Sequence, residues 1–365
     1  MSSTLNASLE ASRRLRAAGH EILFMSQADL HDVMQAHDFA FVQLTRCDAI
    51  RRECAERVHR AGPRYSLGGL RQRWAIRREC RRRSVTDREI EEQLAALRPA
   101  LLIIDSEMHY AILAALPLGI PLALSSVWFS YFRSPGLPPM HTRLLPARSW
   151  FDRLRIQFAW WKLILARLGY DSIRWLLPRE IRRGRRPVAV FTNFRQDLQA
   201  VAKARGLNLS KVTDRTQWLK PHVYPGLPVI TYNAWQMEFP HAPAIELAYV
   251  GPMVQRQRVE GRVTDAECQA WESFRTRQRD DPNRKLIYCS LGTFWSTDTT
   301  LLRRVIEVFE RRTEWDLVIG LGGKLAAKQL RCELPNVLVL DYAPQLEILE
   351  AADAAITHGG IGTIN

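Results

Sequence analysis

The sequence predicts an α/β protein made of two doubly wound parallel sheets. Three observations carry that prediction. Short apolar runs alternate with helical patterns through the first 250 residues, the chain turns polar from Gln255 to about Arg284, and the alternation restarts at Leu286. Alternating strands and helices favour a parallel sheet, because each crossover helix must pack back onto a sheet face. A chain of 365 residues holds about two domains at roughly 100–200 residues each. The expected boundaries are 1–252 for the first unit, 253–284 for a connector with some helix and 285–365 for the second.

The opening reads as a helix. Leu5, Leu9 and Leu15 recur at near-helical spacing beside Arg13, Arg14 and Arg16, with Asn6 or Ser8 as the cap and Gly19 as the stop. A strand follows at 20–25 (HEILFM) and another at 39–44. The unit therefore begins helix, turn, strand, with no strand in front. Residues 48–98 are mostly helical, broken near Gly62-Pro63 and Gly68-Gly69. The run 99–105 (PALLIID) is continuously apolar up to its closing Asp105, as expected of a strand buried on both faces.

From Met108 to Phe132 no Asp, Glu, Lys or Arg occurs. Pro117 and Pro121 divide that run, so a helix and a buried strand at 122–125 fit better than a membrane span. Residues 149–181 read as two amphipathic helices rich in Trp and Arg, and 188–193 (VAVFTN) as a strand. In the second unit, strands are expected at 286–291, 315–319, 337–341 and 354–357, with helices at 298–312 and 345–350. Two such sheets joined by a polar connector would leave a cleft, with ligand sites beyond the carboxyl ends of the strands.

Composition excludes several classes. Hydrophobic residues are 47% and charged residues 25%, which rules out a disordered or collagen-like chain. The six Cys form no CxxC pair, so neither a disulfide framework nor a zinc site is indicated, and isolated thiols are expected. The N-terminus shows no secretory pattern, so a cytoplasmic location is expected. Charge is uneven: residues 1–250 carry 37 basic and 22 acidic groups, whereas 251–365 carry 15 and 16. An acidic partner would therefore meet the first unit.

The end of the chain carries the most chemistry. Thr357-His358-Gly359-Gly360-Ile361-Gly362-Thr363 follows a strand and opens a predicted helix. Glycines there let backbone N–H groups approach an anion, and a helix N-terminus adds a partial positive charge. A Gly-rich tight turn with a capping Thr is the structural alternative. Ser290-Leu291-Gly292-Thr293 repeats the theme after an earlier strand. Gly320-Leu321-Gly322-Gly323-Lys324 lacks the Walker spacing and reads as an ordinary turn.

Three segments carry a family resemblance: Tyr288–Thr293 (YCSLGT), Tyr342-Ala343-Pro344-Gln345 with Ile348-Leu349, and the terminal HGG-x-GT element. Together they resemble the donor signature of the nucleotide-sugar-dependent glycosyltransferases. That family contains plant secondary-metabolite, bacterial macrolide and UDP-glucuronosyl enzymes. Tyr249-Val250-Gly251-Pro252 and the stretch RLRAAGHEILF are weaker matches along the first unit. The resemblance implies the two-Rossmann GT-B fold and inverting transfer of a hexose from a nucleoside-diphosphate sugar, UDP-sugar first, to a small lipophilic hydroxyl acceptor.

By the same resemblance Tyr342 stacks on the base and Gln345 faces the nucleoside. His358, with Gly359 and Gly360, contacts the diphosphate, and Gly362 and Thr363 donate to phosphate. Ser290, Gly292 and Thr293 form the first loop of the donor site. No cofactor or metal is implied; the sugar nucleotide is a co-substrate. The family's base is a His, and here Thr4 stands at its position, a hydroxyl too weak for the task. Asp105 matches the Asp that orients the base, or else acts as a helix cap. His109 lies one turn beyond it, either as a cleft base or as a structural histidine. The missing opening strand and the missing second half of the donor signature give the expectation that the chain is cut at both ends.

The middle is basic and aromatic. Seven Arg lie in 71–83, and Trp150, Trp160, Trp161 and Trp175 are interleaved with Arg between 150 and 186. Solvated Arg faces with an aromatic acceptor pocket, an anionic membrane surface, and nucleic acid are the three readings. The rival functions are thus an active glycosyltransferase, a non-catalytic nucleotide- or membrane-binding protein of the same fold, and a nucleic-acid-binding protein.

Overall fold

Helix α1 (Ser3–Ala17) begins before Asn6 and Ser8, so neither residue caps it. Its end is as expected: Gly19 takes φ +93°, and the His20 N–H reaches back to the Leu15 carbonyl at 3.1 Å. Only a residue without a Cβ adopts that left-handed turn cheaply. This computed structural model describes residues 3–61, 66–128, 132–139, 142–176, 194–214, 223–239, 246–254, 263–279, 281, 283–292, 298–323 and 325–360. The chain divides into two compact units, Met1–Met253 and Val254–Asn365.

In the first unit β1 (Leu23–Ser26), α2 (His31–Ala36) and β2 (Ala40–Gln43) follow, the two strands pairing in parallel. Leu9, Met34 and Phe39 are buried together between α1, α2 and this pair. Helices α3 (Arg46–Arg60) and α4 (Leu67–Thr86) pack through Ile50, Cys54, Val58, Ile76 and Cys80. The expected break at Gly68-Gly69 is absent. Both glycines sit in the first turn of α4, where the Gly69 N–H donates to the Ser66 cap hydroxyl at 3.0 Å. The Gly62-Pro63 break lies outside the described residues.

The arginines of α4 are not merely a solvated face. The Arg57 and Arg83 guanidinium groups join α3 and α4 through Glu79 and Glu53, at 2.8 and 2.6 Å. Arg81 meets the buried Asp197 at 2.5 Å.

Helix α5 (Glu89–Leu97) leads to β3 (Leu102–Asp105), then α6 (His109–Ala115), β4 (Leu122–Ser126) and the long α7 (Trp150–Leu176). Helix α8 (Phe194–Ala204), the short α9 (Leu209–Val212), β5 (Val229–Thr231) and β6 (Leu247–Tyr249) complete the unit. Strands β3 to β6 form one parallel sheet in the order β3-β4-β5-β6. The expectation for 99–105 is therefore corrected: among the described residues β3 is an edge of this sheet, and Ile103 is 39% exposed. The burial fits β4 instead, where Ala123 to Ser126 are all buried. Residues 150–176 form one helix rather than two. The expected strand at 188–193 lies outside the described residues. Leu198, Val201 and Ala202 of α8 are fully enclosed with Ile112, Leu113 and Leu124.

In the second unit α10 (Asp265–Arg279) occupies much of the stretch expected as a connector, and its Trp271 and Phe274 are buried beneath the sheet. Strands β7 (Lys285–Ser290), β8 (Trp315–Gly320), β9 (Val337–Leu340) and β10 (Ala354–Thr357) are all parallel, in the order β10-β7-β8-β9. Helix α11 (Thr299–Glu310) and α12 (Gln345–Ala351) cross between them. The Asp298 carboxylate caps α11, accepting from the Leu301 N–H at 3.1 Å. Each of these elements falls within one or two residues of its expected position. All six cysteines are free thiols.

Candidate functional site

Because β7 to β10 are parallel, their four following loops emerge at one edge of the second sheet. This is where a doubly wound sheet takes ligand. Of the expected donor residues, Gly292, Tyr342, His358, Gly359 and Gly360 lie on three of those loops, Ser290 ends β7 and Gln345 opens α12. Thr293, Gly362 and Thr363 lie outside the described residues.

The edge is built by rings laid on glycine backbone. Gly292 follows β7 with φ +64°. A Cβ there would stand 2.2 Å from Cε1 of His358, and one on Gly360 would stand 2.5 Å from the same atom. The imidazole is thus clasped between two main-chain segments, while His358 itself stays exposed. Gly359 takes φ +76°, and its N–H donates to the Thr357 hydroxyl at 3.3 Å. Two positive-φ glycines and a third glycine against the ring are what a loop needs to bring amides and a ring nitrogen close to one ligand.

Tyr342 repeats the device. A Cβ on Gly323 would fall 1.8 Å from the Tyr342 hydroxyl oxygen, so the phenol lies directly over that glycine. The Gly320–Lys324 loop, expected as an ordinary turn, does turn the chain, with Gly322 at φ +66° and Gly323 at φ +75°. It also seats the ring that the resemblance assigns to base stacking. Lys324 lies outside the described residues.

Glu267 was not foreseen. It sits in the first turn of α10, and its Oε2 accepts from the Thr264 N–H at 2.8 Å and hydroxyl at 2.9 Å, a capping box. Its Oε1 accepts from the Tyr342 N–H at 2.7 Å. One carboxylate therefore starts a helix and pins the tyrosine loop. Its T-x-x-E cap pattern is legible in sequence, but the reach to residue 342 is not.

The carboxyl edge of the β3–β6 sheet is made differently. Ser125, Ser126, Thr231, Tyr232 and Asn233 are all buried there. The Tyr232 N–H donates to the Ser126 carbonyl at 3.0 Å, and the Asn233 amide to the Thr231 hydroxyl at 3.0 Å. Burial pushes the Tyr232 phenol up, hydrogen bonds with Ser8 of α1 and with Ser125 oppose that shift, and the nearby Asp105 carboxylate adds to it. So Ser8, the expected cap, ties the first helix to this edge.

Asp105 ends β3 there and its Oδ1 accepts from the Glu107 N–H at 2.9 Å. It closes a turn rather than capping α6, whose N-cap position is Met108. His109 packs against Tyr224. Its ring is buried in the core, with Nδ1 3.2 Å from the Tyr224 hydroxyl. Burial holds it down at about 4, so it is neutral at physiological pH. Thr4 lies in the first turn of α1.

No family model matches the chain. Among curated proteins it is 32% identical over 115 residues to the demethyllactenocin mycarosyltransferase of Streptomyces fradiae, a match covering 32% of this chain and 22% of that protein. It is 37% identical over 86 residues to the oleandomycin glycosyltransferase of Streptomyces antibioticus, covering 23% and 20%. It is 34% identical over 83 residues to the uncharacterized UDP-glucosyltransferase YdhE of Bacillus subtilis, covering 23% and 21%. The matched region thus spans about a fifth of each relative's length. Among solved structures, the glycotransferase of kitacinnamycin aligns with a TM-score of 0.57 at 18% identity, over 99% of this chain and 73% of that one. That likeness is one of fold. The resemblance read from the motifs is borne out: the chain is related to the macrolide and UDP-glycosyltransferases and has the GT-B fold.

Proposed function

We propose that this relative of the nucleotide-sugar-dependent glycosyltransferases moves a hexose from a nucleoside-diphosphate sugar, UDP-sugar first, to a hydroxyl of a small lipophilic acceptor. The observation that carries the reading is the clasp of His358 between Gly292 and Gly360 at the carboxyl edge of the second sheet. In that reading the imidazole and the loop amides hold the diphosphate, Tyr342 stacks on the base over Gly323, and Gln345 faces the nucleoside. The developing negative charge on the leaving diphosphate is met by preorganised donors, so the reaction calls for no metal.

The acceptor oxygen attacks the anomeric carbon from the side opposite the diphosphate. The bond from that carbon to the diphosphate oxygen breaks, and the nucleoside diphosphate leaves with its electron pair. The acceptor proton passes to a base. Asp105 stands at the carboxyl edge of the β3–β6 sheet as the carboxylate that would orient one.

Titration calorimetry with uridine diphosphate tests the donor half. Wild type is expected to bind, and His358→Ala to bind about tenfold to a hundredfold more weakly, the worth of a hydrogen bond to a charged group. Equal affinity in the two proteins would sink the assignment. Release of uridine diphosphate from UDP-glucose in the presence of a phenol tests transfer. A second reading, nucleotide binding without turnover, is favoured by the buried His109 and by Thr4 at the base position. Binding with no acceptor-dependent release would establish it.

A further inference from the structure

We propose that one face of α7 lies on an anionic membrane surface, an interaction independent of the glycosyl-transfer reading. The helix has two apolar faces. The inner face carries Ile156 and Trp160, both buried, with the Trp160 indole N–H donating to the Leu137 carbonyl at 2.8 Å. The outer face carries Trp150, Phe151, Leu154, Phe158, Trp161 and Leu165, all exposed; Trp150 is 67% and Phe158 72% exposed. At 3.6 residues per turn these six occupy an arc of about 100° and run for about 23 Å. Single exposed apolar residues are ordinary, but a continuous stripe of six is not.

Charge identifies the occupant. From Met108 to Tyr170 the chain has six Arg and one Lys against a single acidic residue, Asp152. Asp152 is committed to the start of α7, where its Oδ2 accepts from the Ser149 N–H and hydroxyl at 3.0 and 2.8 Å. Arg155 and Lys162 are exposed and fall beside the stripe on one side, with Gln157 and the exposed Arg153 beyond it on the other. An apolar stripe that carries two Trp and has cations along its flanks is the pattern of a helix lying in the headgroup plane.

A second copy of the chain fits less well. The 3-4 spacing from Phe151 to Leu165 spans only about two heptads, and a coiled coil needs about three or four. Its flanks would also bring like charges together, where a helical pair needs opposite ones. The Leu side chains argue against nucleic acid, which stacks on aromatics. No helix among the described residues is long and apolar enough to cross a membrane, so the surface is touched rather than spanned.

The test is flotation of the full chain with phosphatidylcholine vesicles, with and without about 30 mol% phosphatidylserine. Wild type is expected to float only with the anionic vesicles and to release as salt rises. Arg155→Gln with Lys162→Gln should lower the partition coefficient about twentyfold, from the worth of each cation near such a surface. Phe158→Ser with Trp161→Ser should lower it about a hundredfold. Quenching of wild-type Trp emission by bromine-labelled acyl chains needs no variant and is expected with anionic vesicles alone. Wild type that stays in the aqueous phase at low salt overturns the proposal. So does a dimer in sedimentation that the serine pair disrupts while vesicles are ignored. Binding to oligonucleotide with no binding to vesicles also overturns it.

Discussion

In the second unit an imidazole is gripped by two glycine backbones, and a phenol lies over a third. At the edge of the β3–β6 sheet in the first unit, serine, threonine, asparagine and tyrosine side chains bond to one another and are buried. One edge is left with exposed chemistry, and the other has spent its polar groups on itself. Ligand contact needs donors that are ordered but still available. Backbone held open by glycine provides this, whereas a satisfied side-chain cluster provides rigidity.

Gly292→Val is the strongest way to break that comparison. The side chain would enter the His358 ring and take an unfavourable positive φ. Affinity for uridine diphosphate should fall a hundredfold or more, about 3 kcal/mol, while circular dichroism still reports a folded chain. A variant that binds normally would mean the ring's placement against glycine is unimportant.

The first unit should show its buried histidine through pH. The folded state holds His109 at about 4, against 6.5 for the free group. The unfolded chain therefore takes up a proton that the folded chain refuses as pH falls from 6.5 towards 4. Stability is unaffected above that window and is lost through it, by at most about 3 kcal/mol. His109→Leu should flatten this part of the pH profile in urea unfolding. A wild-type profile that is already flat would place the imidazole in water.

Glu267 tests whether the second edge is positioned from outside. Glu267→Ala removes both a cap and the acceptor for the Tyr342 N–H, and should cost about 1–2 kcal/mol in urea unfolding. It should also weaken nucleotide binding severalfold, and Glu267→Gln should recover most of each loss. Tyr232→Phe is the smallest change: losing one buried hydroxyl should cost about 1 kcal/mol and leave nucleotide affinity unaltered.

The elements of the second unit were legible because their signals are local. Strand-length apolar runs such as LIYCS, an Asp cap before α11 and glycines after strands each act within a few residues. The first unit was less so. β5 and β6 are three residues each, too short for a period to register, and neither was expected. α8 was also missed, since polar residues are interspersed with small apolar ones and only Leu198, Val201 and Ala202 fill the core.

What the sequence determined by itself is the order of strands and helices from β7 onward, the glycine-bearing loops after those strands and the excess of positive charge in the first two-thirds of the chain. What only the tertiary structure decided is which side chain meets which. PALLIID reads as a doubly buried strand, yet among the described residues β3 is an edge in its sheet, because burial is set by neighbours and not by hydrophobicity. His109 follows Asp105 by one turn, yet the helix rotates it into the core against Tyr224. Trp interleaved with Arg along α7 was visible from the start. That one apolar stripe packs inward while a second faces out depends on what lies beside the helix, which no local period records.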